Sequence, residues 1–501
     1  MYQTDLKRRL AEYLREDGRY SPFTYTIGLR SSILDAEASI RSYPLPNPLS
    51  NEDLSEFLRS LTFFHEWAHL CQFLTTAYGL RVLRYTIVCL RNLSRCESWQ
   101  MPIVSTLLNR LTALSAHEMT TLEGALIFLD AMDQLRLDVS SVSTPPMEPR
   151  NVIDVEFLPW SPHFIPIAHQ SLQRHRDFAE EMVNRGTHIR KLPVLHFRTA
   201  KGEYRIVLNV AVLMEAYAVL VEMNHIYNAL GLSAEEVFTL LPKGDEYHVL
   251  IVYMIYMNYC DWSNLLPTLG VCIDAAMMYD PFVLYDVPWD VSDEQGRGDQ
   301  YPGETFLTIC GALRNTAPIT EHTPEDTSRF YKELCANAGL PAPEWMATRS
   351  SEVANSILNQ SRWQDTLMGC AVKAHADALN FRCDTGAAFP HFLPTTGWLN
   401  EFVQLAGPAV SFFDLGTRQP NLFDPRKVDA VTVHSLLLQA FVSSDIQCPL
   451  KEGDPFYCPS AGLPHASECV WRHEGGTREC LLGTFIHAFG ISPAERREHR
   501  E

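Results

Sequence analysis

The sequence predicts an α+β protein that is predominantly helical. Three observations carry that expectation. Apolar residues recur at helical spacing over long stretches, as at Leu54, Phe57, Leu58, Leu61, Phe64, Ala68 and Cys71. Alternating, β-branched runs are few and short, chiefly 23–29 and 194–208. The 501 residues are 46% hydrophobic and 20% charged, a globular composition with enough apolar surface to build real cores.

Taken in order, residues 5–16 read as a short amphipathic helix and 23–29 as a strand. Pro44, Pro46 and Pro48 make the next segment a loop. Ser50-Asn51-Glu52-Asp53 has the form of a helix start, a capping side chain followed by acids in the first turn, and Gly79 is a stop signal. Residues 194–208 read as a hairpin turning at Ala200-Lys201-Gly202-Glu203. A long helical pattern follows from 210 to 230, and Gly231 and Ser233 separate it from another helix. Residues 286–304 are polar, acidic and broken by Pro and Gly, which predicts a linker. The chain beyond reads as mainly helical to about residue 445, and the rest as loops rich in cysteine. The expected division is therefore 1–285, 305–445 and 446–501.

Lys and Arg total 41 against 60 Asp and Glu, a formal charge of −19. Such a surface repels phosphate backbones, so nucleic acid is not an expected partner. The N-terminus lacks the apolar core of a signal peptide, and the longest apolar run, 248–257, is too short to span a bilayer. A cytoplasmic protein with no membrane association is expected. Its 13 cysteines should then be mostly free thiols.

The most informative motif is His65-Glu66-Trp67-Ala68-His69. Histidines at i and i+4 share one helix face, so both imidazoles can reach one tetrahedral Zn²⁺. The glutamate between them can act as general base on a metal-bound water. The residues around the motif are apolar (Leu61-Thr-Phe-Phe before it, Leu70-Cys after it), and a buried His-Glu-His needs partners that a metal supplies. The bland reading is a pair of packed, inert core histidines.

The motif resembles the zincin superfamily of zinc metallopeptidases, and within it the gluzincins, whose third ligand is a Glu on a later helix. The wider stretch from His65 through Gln72 to Tyr78-Gly79 is similar to bacterial zincin-like proteins with an H-E-x-x-H-x-x-Q helix. The likeness spans about the first half of the chain and rests on short motifs. The metzincin continuation is absent, since Gln72 stands where that pattern has Gly. The resemblance implies a zincin-like catalytic domain with an active-site helix and a small sheet, and a peptide or protein substrate.

Two glutamates compete for the third ligand position. Glu215, in Val212-Leu-Met-Glu-Ala-Tyr-Ala218, sits in an apolar helical pattern where an unpaired acid is costly, and its Glu-Ala-Tyr-Ala string is similar to the gluzincin Glu-x-x-Ala. Glu123, in Thr120-Thr-Leu-Glu-Gly-Ala-Leu126, fits by composition but precedes a glycine. Glu222, seven residues after Glu215, falls on the same helix face and would orient a ligand His or pair with a cation. The family also uses a Tyr or His as a second oxyanion donor. Tyr217 and His225 are near in sequence, with neither assigned. An edge strand that binds extended substrate would be 23–29 or one arm of the 194–208 hairpin.

Cys448, Cys458, Cys469 and Cys480 crowd the C-terminal end, with His465 and His473 among them. Their wide spacing leaves both a structural zinc and buried thiols open. His375, His391 and His487 stand alone near apolar residues and read as packed or surface histidines. The expectation is thus a zinc metallopeptidase with Glu66 as base and His65, His69 and Glu215 as ligands, and the 305–445 helices as a possible partner surface. The alternative is a non-catalytic, helix-rich interaction protein with a structural or degenerate zinc site.

Overall fold

A computed structural model describes residues 51–81, 190–199, 202–208, 210–241, 245–280, 302–320, 323–359 and 367–384, with strands 19–21, 26–29, 149–160, 411–414 and 419–421 and the single positions 83 and 283. The described part is predominantly helical. In chain order it comprises β1 (Arg19–Ser21), β2 (Thr26–Leu29), α1 (Asn51–Thr75), β3 (Pro149–Trp160), β4 (Arg190–Thr199) and β5 (Gly202–Val207). There follow α2 (Val210–Leu230), α3 (Ala234–Leu240), α4 (Asp245–Tyr256), α5 (Leu265–Met278), α6 (Pro302–Ala312), α7 (Pro324–Asn337), α8 (Pro343–Leu358) and α9 (Leu367–Asp384). The last elements are β6 (Ser411–Asp414) and β7 (Gln419–Asn421).

The core is organised around helices that are buried on nearly every side. From Leu61 to Leu74 only His65 of α1 is more than slightly exposed, and α5 is buried from Thr268 to Met278. A helix that is apolar all round needs neighbours on all sides. For α1 these are α2 on one flank and α9 on another. For α5 they include α2, α4, α6, α7 and α8. One apolar core runs from Phe57 to Leu379, so the helices of 302–384 pack against the same interior as α1 and α2.

Two buried ion pairs tie this interior together. Arg382 of α9 binds both carboxylate oxygens of Asp274 in α5, its Nη1 at 2.9 Å from Oδ1, and the same nitrogen donates to the carbonyl of Thr75 at 3.2 Å. The Tyr331 hydroxyl of α7 donates to Asp274 at 2.9 Å. Arg81 pairs with Asp280 at 3.3 Å. Buried charges persist only when paired and hydrogen-bonded in this way.

Several local expectations are met. The hairpin pairs Val194 with Val207 and Thr199 with Gly202, so the second arm begins within the turn expected at 200–203. Helix α2 ends before Gly231, which takes φ +64°, and Ser233 caps α3 in a capping box with Glu236. Gly79 has another role than the expected stop. Helix α1 ends earlier, where Thr75 and Thr76 bond back to the carbonyls of Cys71 and Gln72. A short helical segment at 77–81 then brings Gly79 against Phe73, whose carbonyl oxygen would lie 1.6 Å from a Cβ. Only glycine permits that approach.

Strands were harder to foresee. β3, β4 and β5 form an antiparallel sheet in that order, and β3 carries prolines near its ends that mask its pattern. β2 lies between β1 and β6, the latter parallel to it, and β7 completes this second sheet. The stretch to 445 is therefore not uniformly helical. β6 is four residues long and depends on pairing with a strand nearly four hundred residues earlier. The first three residues of α6 were expected in the linker, but Gly303 lets that helix start press on the carbonyl of Leu208, 2.1 Å from where a Cβ would stand. Among the described residues, no helix is long and apolar enough to cross a membrane.

Candidate metal centre

The site forms where α1 and α2 pack side by side. His65 and His69 are one helical turn apart on α1, with ring centroids 4.8 Å apart and planes nearly perpendicular. Glu215 and Glu222 are two turns apart on α2 and share a face. The Nε2 atoms of His65 and His69 lie 3.1 and 3.4 Å from one oxygen of Glu215. All three donor atoms fall within 4.8 Å of one another, the one such His/Cys/Asp/Glu group among the described residues.

This donor set fits a divalent metal. Ligand atoms held tetrahedrally at about 2.0–2.1 Å from one ion are themselves roughly 3.3 Å apart, close to the two spacings seen. Two imidazole nitrogens and a carboxylate are ligands that could hold such an ion. The centre is sunk in the protein but not sealed: the Glu215 side chain retains 29% of its exposure and that of His65 12%. Of the two glutamates weighed for third ligand, Glu215 meets both histidines. Glu123 lies outside the described residues.

Glu222 is where the structure is most specific. Its carboxylate is buried and stands 3.2 Å from Nδ1 of His65, the ring nitrogen that faces away from Glu215. His65 thus lies between two carboxylates. Burial alone would push its pKa down, yet Glu222 and Glu215 outweigh it and raise it well above the usual value. Glu215 moves the opposite way. Its burial would raise the carboxyl, but His69 and His65 hold it far below the ordinary range.

Glu66 is buried beside the same cluster. Burial lifts its carboxyl above the usual value against the pull of His65 and His69, and the charges of Glu215 and Glu222 add to the rise.

Neither oxyanion candidate lines the open side. Tyr217 is two residues from Glu215, hence on the opposite face of α2. It is buried, and burial followed by the Asp274 charge pushes its hydroxyl up. His225 stacks on Phe64 with centroids 3.8 Å apart, and burial lowers its pKa to about 3, so it is a neutral packing group. His375 is likewise a core histidine, packed edge-on against Phe73. β2, the described part of the expected 23–29 strand, is not an edge, because it is paired on both sides. β4 is also central, so of the hairpin arms β5 alone has an unpaired side among the described strands. His391, His487 and the Cys448, Cys458, Cys469 and Cys480 group lie outside the described residues. The six cysteines within them, such as Cys71 and Cys272, are free thiols.

Comparison with protein-family models, curated proteins and solved structures returns no significant match.

Sequence reasoning passed over Arg81, Asp274, Asp280 and Arg382, which hold the scaffold. One signal was present: Asp274 is the lone acid in the otherwise apolar α5, and an acid there needs a cation.

Proposed function

We propose that this chain is a zinc-dependent metallohydrolase, a gluzincin-like peptidase that cleaves peptide or protein substrates. The observation that carries the reading is the convergence of His65, His69 and Glu215 from two helices onto one point, with Glu66 buried beside them. These three residues would hold the ion. When bound, zinc lowers the pKa of a coordinated water to about 7 and polarises a carbonyl. Glu66 serves as general base, accepting the proton of the attacking water and passing it to the leaving amine. β5 offers an unpaired strand edge to an extended substrate. Free thiols throughout the described core support a reducing, cytoplasmic setting.

A second reading is a structural zinc site in a non-catalytic interaction protein, and the burial of His69, Glu66 and Glu222 favours it. Glu66 separates the two. A structural site needs no base. The test is digestion of a mixed peptide library by the zinc-loaded protein and its Glu66→Gln variant, read by mass spectrometry. Cleavage by the wild type and none by the variant is expected. Equal cleavage by both overturns the catalytic mechanism, and no cleavage by either favours the structural site.

A further inference from the structure

The two proposed metal ligands on α1 are not equivalent. Both present Nε2 to Glu215, but His65 also has an anionic partner on its far side, Glu222 Oε1 at 3.2 Å from Nδ1. The arrangement is built rather than incidental. Glu222 is buried to within 4% of complete, on a helix whose preceding turn, Ala218 to Val221, is apolar. Its separation of seven residues from Glu215 returns it to the same face of α2, about 10 Å along the axis. The two carboxylates therefore clasp one imidazole from either end.

We infer that Glu222 is a positioning residue for the metal: it fixes the His65 ring with Nδ1 protonated and Nε2 turned to the ion. An imidazole has two nitrogens, and the hydrogen bond made by one decides which binds metal. A carboxylate partner does this most strongly, because the bond is charge-assisted and strengthens the donor nitrogen. His65 also has a rotatable ring on an otherwise tightly packed helix. Glu222 removes that freedom before the metal arrives, so less ordering is left for binding to supply. Glu222 touches neither substrate nor ion in this role. The inference rests on the zinc site proposed above, and it adds a residue that the motif His65-Glu-x-x-His69 with Glu215 does not contain.

The test is Zn²⁺ affinity of the full chain, measured by titration against a chromophoric chelator, for wild type, Glu222→Gln and Glu222→Leu. Glutamine retains an acceptor oxygen without the charge, and leucine retains only bulk. The dissociation constant should rise least for Gln and about 10- to 100-fold for Leu. Loading with Co²⁺ gives a second readout. The visible ligand-field spectrum should change for the Leu variant, in which the His65 ring is no longer held, and stay near wild type for Gln. A purely structural Glu222 would lower the thermal midpoint of both variants without that order in affinity. If Glu222→Leu does not fold, Glu222→Gln carries the test alone through a raised dissociation constant. Wild-type affinity in both variants overturns the inference and leaves the zinc site standing. A wild-type chain that binds no Zn²⁺ overturns the site and the inference together.

Discussion

Glu222 and His65 face each other across the α1–α2 contact, with Oε1 3.2 Å from Nδ1, while the other nitrogen of the same ring lies 3.1 Å from Glu215. One imidazole thereby has a carboxylate at each of its two ring nitrogens. That relationship joins two helices separated by well over a hundred residues, and the proposed chemistry depends on it.

Glu66→Gln should separate binding from catalysis. The amide keeps the size of the side chain and cannot accept a proton at the reaction step. Metal content should remain at the wild-type level, while peptide hydrolysis falls about 10²- to 10⁴-fold, the range for loss of a general base. Elemental analysis and a fluorogenic peptide assay on the same preparation check both halves.

Acid should destabilise the fold through His375. Burial lowers its pKa to about 3 against the upward pull of a hydrogen bond to the Leu74 backbone. The unfolded chain therefore takes up a proton below about 6.5 that the folded chain refuses, and stability is lost as pH falls toward 3. The loss is about 1.4 kcal/mol per pH unit. His65 acts in the other sense. Its raised pKa contributes stability below the ordinary histidine value, and that contribution fades as pH rises through the folded value. The His375→Gln variant isolates the first effect. In urea unfolding of metal-free protein between pH 6 and 4, its stability should fall less steeply than wild type by about one proton's worth. Parallel slopes would contradict the assignment.

Removing the charge of Arg382 should be severe. Arg382→Met strands Asp274 in the core and frees the Thr75 carbonyl at the end of α1, a loss of about 3–5 kcal/mol. Adding Asp274→Leu should restore part of that stability, because the isolated buried charge then disappears. Thermal melts of the two single variants and the double variant give the coupling. Because Thr75 closes the helix that bears His65 and His69, the Arg382 variant should also bind zinc more weakly.

Much of the site was legible before the structure. The i, i+4 histidines with a glutamate between them define their own geometry once the helix is recognised, and the apolar setting of Glu215 marked it as a paired acid. The seven-residue step to Glu222 gave its face, but not whether that face met His65 or a cation. Only packing decides that. Tyr217 and His225 show the opposite limit, since proximity in sequence placed both near the site and the helix turned them into the core. The strands were least legible. β6 forms only by pairing with β2, and no local pattern in four residues encodes so distant a partner. Gly79 looked like a helix stop because the sequence does not disclose that Phe73 presses on it.

His65, His69 and Glu215 are proposed to hold one metal ion. The most direct measurement is the zinc content per chain of wild type and of His65→Ala, His69→Ala and Glu215→Ala, after dialysis against a weak chelator. Each substitution should remove one zinc relative to wild type, with any further zinc unaffected. Wild-type zinc content in all three variants would contradict that assignment.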